Sequence, residues 1–477
     1  MDEGVHLPVS QAAKHLPAWL IALLQSPVPE PPPATAPAAY LGALHPYQHT
    51  ALGFALHRRR TMLALDMGLG KTHIGMVYML LHLPAMVVCP ASLKKNWQEH
   101  IEQYAPSAAA DITIVSYNKM CMIPGLQCIV ADEAHYLKRE VSKRSQIFTQ
   151  LVAQCPRALL LTGTPAQRNI DVFHLLKLLD PTRFRLFYHY GHRKVPGALY
   201  FAERYSIPKP VWIGGSQHGF KFTTNQNSEE LALVCAHFIL RMKKEDVVTL
   251  PTLHMQAVAV ATVDDPEYYQ DRQLEIEIVR ETKGNRRADA DLMALCRETS
   301  LRKLPYVEPY IAAWIHSHPY EKLIVFYHHK DVGDQLVLAV EKTGVVQHIR
   351  IDGSVSMKKR VDLIHTFRTD PTCRVGILSM CATSTGLNLQ FCTKIIFVEI
   401  TFNSVHHVQA EARIHRIGQE REVSVDYMLL GGTTDVMLWR ALQAKRKTES
   451  ILFDSRASSS SSSSSSPPAD DDEIVPL

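Results

Sequence analysis

Thr61-Met-Leu-Ala-Leu65, followed directly by Asp66-Met-Gly-Leu-Gly70-Lys71-Thr72, is the stretch on which the reading of this chain turns. An apolar run ends in a glycine-rich turn, and an amphipathic stretch from Lys71 to Leu81 follows. That order reads as strand, tight turn and helix. Backbone N–H groups at a helix N-terminus attract anions, and glycines let the backbone close around them. Asp66, Met67, Gly68, Leu69 and Gly70 would then form a phosphate-binding loop. Lys71 would reach the β/γ-phosphates of a nucleotide, and the Thr72 hydroxyl would ligate Mg²⁺. The strict pattern wants a glycine where Leu65 stands, so a chance glycine turn stays open on this stretch alone.

Working outward, the same alternation of short apolar runs and amphipathic stretches recurs. Strands are expected at 61–65, 85–89, 112–117, 128–132 and 157–162, and again at 323–328, 347–351, 374–379, 394–399 and 423–429. Runs this apolar suit a parallel sheet covered by helices on both faces. Between about 181 and 315 the alternation weakens, and 266–300 reads as a charged helix. The expected fold class is therefore α/β, with two lobes separated by an insertion.

The ends differ from this. Leu16 to Leu24 reads as a short helix, and six prolines within 26–37 favour an extended linker, with a ligand for a proline-binding domain as the alternative. Ser458 to Ser466 is a pure serine run, followed by acids at 470–473, and is expected to be disordered. The final Ile474 to Leu477 beside those acids resembles a SUMO-interacting strand, and a solvated tail is the alternative.

Length and composition are those of an ordinary globular chain. With 477 residues, 46% hydrophobic and 21% charged, the chain is neither disordered throughout nor a disulfide-stapled scaffold. A net charge of +4 is too small to identify a nucleic-acid partner by itself. Apolar runs such as Ala18 to Leu24 fall short of a membrane span, and Asp2 and Glu3 stand where a secretory signal carries positive charge. Nine cysteines without a CxxC read as reduced, mostly buried thiols in an intracellular compartment.

Three further stretches carry chemistry. Val130-Ala-Asp132-Glu133-Ala-His135 ends another apolar run, 61 residues after Lys71. Carboxylates at the C-terminal edge of a parallel sheet lie where such sheets bind ligands. Asp132 would hold Mg²⁺, and Glu133 would orient and polarise a water. Leu161-Thr-Gly-Thr-Pro165 also closes a run; it is either an ordinary turn or a sensor of the γ-phosphate. Arg413 and Arg416, three apart, would share one helix face, either as a salt-bridged surface or as fingers onto a transferred phosphoryl group.

Taken in order, these blocks resemble the Swi/Snf-type superfamily 2 motors over roughly residues 44–450. Leu44-His-Pro-Tyr-Gln48 is similar to the adenine-recognising segment, which implies that Gln48 reads the base. Val88 to Trp97 resembles motif Ia, and Thr385-Gly386-Leu-Asn-Leu389 resembles motif V, which brings Gly386 to the nucleotide site. Ala412 to Gln419 resembles motif VI. Phe326 to Lys330, Gln347 to Ser354 and Ile414 to Gln419 look like the HARP-type annealing helicases within that group. His328 and His329 read equally as a satisfied strand end, with no metal role. Ala166-Gln-Arg-Asn169 departs from both the remodeller and the annealing forms.

The resemblance implies two RecA-like lobes of the P-loop NTPase kind. It divides the chain into a Pro-rich segment (1–43), lobe 1 (44–183), a helical protrusion and linker (184–320), lobe 2 (321–432), a brace helix (433–455) and a disordered tail (456–477). It further implies a DNA-dependent ATPase using ATP and Mg²⁺ in a compartment that holds DNA, such as a nucleus or a virus-infected cell. Annealing or fork remodelling is the first reading. Nucleosome remodelling and strand separation are the alternatives, and a non-catalytic DNA-binding scaffold is the reading from another class. The expected partner is duplex, forked or partly single-stranded DNA, with SUMO or a single-strand-binding protein as further contacts and no membrane.

Overall fold

A computed structural model describes residues 18–35, 42, 44–184, 187–190, 193–213, 216–283, 285–344, 347–381, 387–454 and 475–476. Thr385 and Gly386 of the motif V stretch, and the serine run with its acids, lie outside the described residues. The chain divides into two compact units. One takes Met1–Lys209, Phe220–Val247 and Arg446–Ser462; the other takes Pro210–Gly219, Val248–Lys445 and Ser463–Leu477.

In the first unit, helix α1 (Ala18–Gln25) precedes α2 (Pro46–Leu56), β1 (Arg60–Leu65), α3 (Lys71–Leu80), β2 (Ala85–Cys89) and α4 (Lys94–Tyr104). Next come β3 (Ile112–Ser116), β4 (Cys128–Asp132), α5 (Lys143–Gln154), β5 (Arg157–Thr162) and α6 (Phe173–Leu179). Hairpin β6–β7 (Phe187–Tyr190, Arg193–Pro196), helix α7 (Gly197–Tyr205), hairpin β8–β9 (Ser206–Ile213, Ser216–Asn225), of which Pro210–Gly219 counts with the other unit, and helix α8 (Ser228–Ala236) lead to β10 (Ile239–Met242).

The six-stranded sheet runs β10-β1-β5-β4-β2-β3, and every pair is parallel. The five expected strands of this half all form. The reason is burial: β2 and β4 are buried along their whole length, so continuous apolar runs are what such a sheet requires. The sixth strand, β10, has only four residues and carries Arg241, too short and too polar to stand out in the sequence.

Helix α1 is part of this core, with Leu20 and Leu23 buried and Trp19 edge-on to Phe184 at 5.2 Å. The proline stretch after it has no regular element over 27–35, and only Val28, Pro31, Pro32 and Ala34 of it are half-buried. A methyl group at Gly53 would lie 2.0 Å from the Pro32 carbonyl oxygen, so α2 needs glycine at that contact.

The second unit begins with β11 (Leu253–Thr262) and two helices, α9 (Pro266–Lys283) and α10 (Asn285–Ser317). Then follow β12 (Leu323–Tyr327), α11 (Lys330–Lys342), β13 (Gln347–Ile351), α12 (Met357–Thr369), β14 (Cys373–Ser379) and β15 (Lys394–Phe397). Helix α13 (Ser404–Ile414), β16 (Val423–Gly431) and α14 (Thr434–Asp454), whose residues from Arg446 on count with the first unit, complete the series before a two-residue β17 (Val475–Pro476). The sheet order is β13-β14-β12-β15-β16-β11-β17, again all parallel. The parallel α/β expectation thus holds in both units.

The 184–320 stretch is more than a helical insertion, because it supplies β10 to one sheet and β11 to the other. Strand β11 is exposed over His254–Gln256 and buried only at Ala257, Val258 and Val260, which hides it from a search for continuous apolar runs. Seven of the nine cysteines are buried; Cys121 and Cys381 are exposed.

Candidate active site

Strands β1, β5 and β4 are neighbours, and the register pairs Ala64 with Thr162 and Asp132 with Leu161. Three stretches separated by up to 100 residues therefore meet at one sheet edge, where parallel strands present their C-terminal ends. The glycine turn follows β1, the Asp132–Glu133 pair closes β4, and the Thr162–Pro165 turn closes β5.

Gly68 and Gly70 both adopt positive φ, +92° and +72°. A side chain at Gly70 is excluded twice over, since its Cβ would also lie 2.3 Å from Gln48 Nε2. Gln48 is buried and committed at both ends: Oε1 accepts the His45 N–H at 2.9 Å, and Nε2 donates to Leu69 O at 3.1 Å. Nε2 keeps a second N–H, so Gln48 ties the loop to α2 with one donor in reserve. The first bonds of α3 run from His73 and Ile74 to Gly70 O, leaving the amides of Gly70, Lys71 and Thr72 ahead of the ladder.

Lys71 Nζ donates to the carbonyls of Leu65 at 2.8 Å and Asp66 at 3.1 Å. Burial pulls its pKa below the usual lysine value, while Glu133, Asp132 and Asp66 pull back. A Cβ at Gly163 would stand 3.4 Å from Lys71 Nζ and 2.9 Å from Met67 Cγ, so the turn after β5 borders the lysine. Asp66 itself does not face a ligand alone. It pairs with Arg241 at 2.8 Å and accepts the Lys244 N–H at 3.0 Å, which ties the loop to β10.

Asp132 is held from three sides. Trp97 Nε1 donates to Oδ2 at 2.8 Å, the Glu133 N–H donates to Oδ1 at 3.0 Å, and the Tyr117 hydroxyl donates to its carbonyl at 2.8 Å. Burial, and then the neighbouring Glu133, push the Asp132 carboxyl up to about 6. Glu133 has φ +55°, a left-handed conformation that costs a non-glycine residue about 1–2 kcal/mol. Such strain is concentrated at sites where orientation matters. Its Oε2 lies 3.2 Å from His135 Nδ1, which is also 3.3 Å from Thr162 Oγ1. Thr162 Oγ1 in turn accepts the Thr164 N–H at 3.1 Å. His135 thus links the turn after β4 to the turn after β5.

These residues fit a nucleoside triphosphate with Mg²⁺. Glycine φ values and excluded Cβ positions leave a backbone cradle at a helix N-terminus, and the Thr72 hydroxyl and Asp132 carboxylate are the hard oxygen donors that Mg²⁺ takes.

The arginines lie in the second unit. Arg413 is in the last turn of α13, but the helix ends at Ile414, with His415 at φ −84° and ψ 87°. The expectation that Arg413 and Arg416 share a helix face is therefore corrected: Arg416 stands on the turn beyond the helix. That turn is fastened by Gln419, whose Nε2 donates to the carbonyls of Gln390 at 2.8 Å and Cys392 at 2.9 Å. His415 bonds Pro251 O at 2.8 Å. Burial lowers the pKa of Arg416, and its Nε has no hydrogen-bond partner among the described residues. Sequence reading missed Tyr117 and Arg241. Neither lies in a recognisable pattern, and each acts through contacts to a distant strand end.

Comparison with known proteins places the chain in a family. The description "SNF2-related domain" matches residues 47–124 and 113–304, and "Helicase conserved C-terminal domain" matches 303–418. Among curated proteins, the chain is 29% identical over 457 residues to the human DNA annealing helicase and endonuclease ZRANB3, covering 87% of this chain and 40% of that one. It is 30% identical over 441 residues to the Xenopus laevis SWI/SNF-related matrix-associated actin-dependent regulator of chromatin subfamily A-like protein 1, covering 85% and 44%. The chain thus spans less than half the length of these relatives. The solved Sulfolobus solfataricus SWI2/SNF2 ATPase core in complex with dsDNA aligns over 90% of this chain and 96% of its own. At 21% identity and a TM-score of 0.38, that superposition is too loose to inform the site.

Proposed function

Since this chain belongs to the SNF2-related family, helicase-like ATPases that act on DNA, we propose that it is a motor that moves along duplex DNA and couples ATP hydrolysis to strand annealing and fork remodelling. The observation that carries the reading is the meeting of Lys71, Asp132, Glu133 and Thr162 on three adjacent strand ends. ATP with Mg²⁺ supplies the phosphoanhydride and the Lewis acid when bound. The amides of Gly68 to Thr72 and the Lys71 ammonium hold phosphate oxygens, with Asp66, Met67 and Leu69 shaping the loop. Thr72 and Asp132 hold the metal. Glu133, poised by its backbone conformation and by His135, orients and polarises the attacking water. Gln48 reads the adenine with its remaining N–H. Arg413 and Arg416 neutralise the charge that develops on the transferred group. Their origin in a separate lobe makes turnover depend on closure, and alternate closing and opening step the motor along one strand.

Annealing is favoured by the likeness to the DNA annealing helicase and endonuclease ZRANB3; chromatin remodelling is the second reading, favoured by the likeness to the SWI/SNF-related regulator of chromatin. Phosphate contacts give such motors affinity without sequence readout, so binding should weaken steeply with salt. The test is ATP hydrolysis on single-stranded, duplex and forked DNA. DNA stimulation lost in Lys71→Ala and Glu133→Gln supports the site, and wild-type rates in both variants refute it. Rewinding of a protein-coated bubble against nucleosome sliding then separates the two readings.

A further inference from the structure

A second candidate site lies in the second unit. A cavity of about 180 Å³ opens at the C-terminal ends of β12 and β15, lined by Met293, Phe402, Leu438, His329, His406 and Glu399 among others. The carboxyl edge of a parallel sheet is where open α/β units take ligands. Glu399 is only 2% exposed and follows β15 directly. Its Oε2 accepts the N–H groups of His328 at 2.5 Å and His329 at 2.9 Å, and its Oε1 accepts from His329 Nδ1 at 2.6 Å. A carboxylate offers about four acceptor positions, so roughly one remains, on Oε1. Among the described residues no lysine or arginine pairs with Glu399, and its one ion-pair partner is the His329 imidazole. By contrast Asp435, on the same cavity, is matched by the buried ammonium of Lys303 at 2.8 Å. Burial pushes the Glu399 carboxyl up, but the hydrogen bonds from His329 and His328 outweigh it and hold the carboxyl below its usual range, so the cavity carries a negative charge that no lysine or arginine among the described residues matches.

We propose that this cavity binds a small organic ammonium ion, its charged end on Glu399 and its apolar chain against Met293, Phe402 and Leu438. The volume equals roughly six waters, which suits a chain of about six carbons. The ammonium group brings three donors, one of which completes Glu399. Because the cavity also touches Asn403 and His406 at the start of α13, an occupant braces the helix that carries Arg413.

The test is isothermal titration of the full chain with hexylammonium chloride, with hexan-1-ol as the neutral match. Hexylammonium is expected to bind at one site with a Kd on the order of 0.1–1 mM, and the alcohol at least about tenfold more weakly. Glu399→Gln should weaken hexylammonium by at least about tenfold. Should that variant fail to fold, Met293→Trp decides. Met293 is 37% exposed, so the larger ring blocks the cavity while leaving the core and the carboxylate in place. Loss of binding with unchanged melting supports the site. Equal binding of the alcohol, no saturable binding, or full binding by folded Glu399→Gln or Met293→Trp overturns it.

Discussion

Replacing Gly70 with alanine tests the coupling between the phosphate loop and α2. The structure gives two separate reasons for a loss. Gly70 sits at φ +72°, which costs an alanine about 1–2 kcal/mol. The new Cβ also lands 2.3 Å from Gln48 Nε2, so the carboxamide must leave its place. Moving it breaks the bonds to Leu69 O and from the His45 N–H, each worth about 0.5–1.5 kcal/mol net. Gly70→Ala should then cost about 2–5 kcal/mol of transition-state stabilisation, a fall in kcat/KM for ATP of about 30-fold to several thousandfold. Gln48→Ala alone should cost only the two hydrogen bonds. In the double variant the clash is gone and those bonds are counted once, so the losses should fall short of additive by about 1–3 kcal/mol. The assay is steady-state ATP hydrolysis with saturating DNA for the four proteins, with melting curves to confirm folding. Losses that add within about 0.5 kcal/mol would show that Gln48 and Gly70 act independently and refute the reasoning.

Other outcomes follow from particular contacts. His174 in α6 is 2% exposed, and neither ring nitrogen has a hydrogen-bond partner among the described residues. Burial lowers its pKa to about 4, against about 6.5 when unfolded, so the unfolded chain binds the extra proton between those values and stability falls as pH drops through that window. From pH 7 to 5 the loss is about 2 kcal/mol, and His174→Leu should show a correspondingly flatter dependence of melting on pH. Trp97→Phe removes the indole N–H from Asp132 while keeping an aromatic ring; hydrolysis should drop about 10- to 100-fold with little loss of secondary structure by circular dichroism. Lys303→Met strips the cation from buried Asp435 and should destabilise the second unit by about 3–5 kcal/mol in denaturant titrations, an effect that Asp435→Leu added to it should largely reverse.

Much of the catalytic centre was legible because its members end strands. Lys71, Asp132, Glu133 and Thr162 each follow an apolar run, and a parallel sheet gathers strand ends at one edge whatever the loops between them do. The two-lobe plan was legible for the same reason. Residues that support the centre were not. Tyr117 reaches the Asp132 carbonyl across 15 positions, Trp97 reaches its carboxylate across 35, and Arg241 reaches Asp66 across 175. No local pattern encodes a single hydrogen bond made at such a distance. Strand β10 was invisible because four residues carry too little periodicity, and the end of α13 at Ile414 was invisible because the Arg413–Arg416 spacing suits a helix that the Gln419 turn cuts short.

By itself the amino-acid sequence determined most of the sheet strands, which turns follow them and which reactive groups those turns carry, because burial of both sheet faces writes itself as apolar runs. Tertiary structure alone decided how those groups are poised. It set the strain at Glu133, bound Asp66 to β10, and left Glu399 buried with an imidazole for its counter-charge. Each of these depends on what a side chain meets across the sheet, and such a meeting is a property of packing rather than of neighbours along the chain.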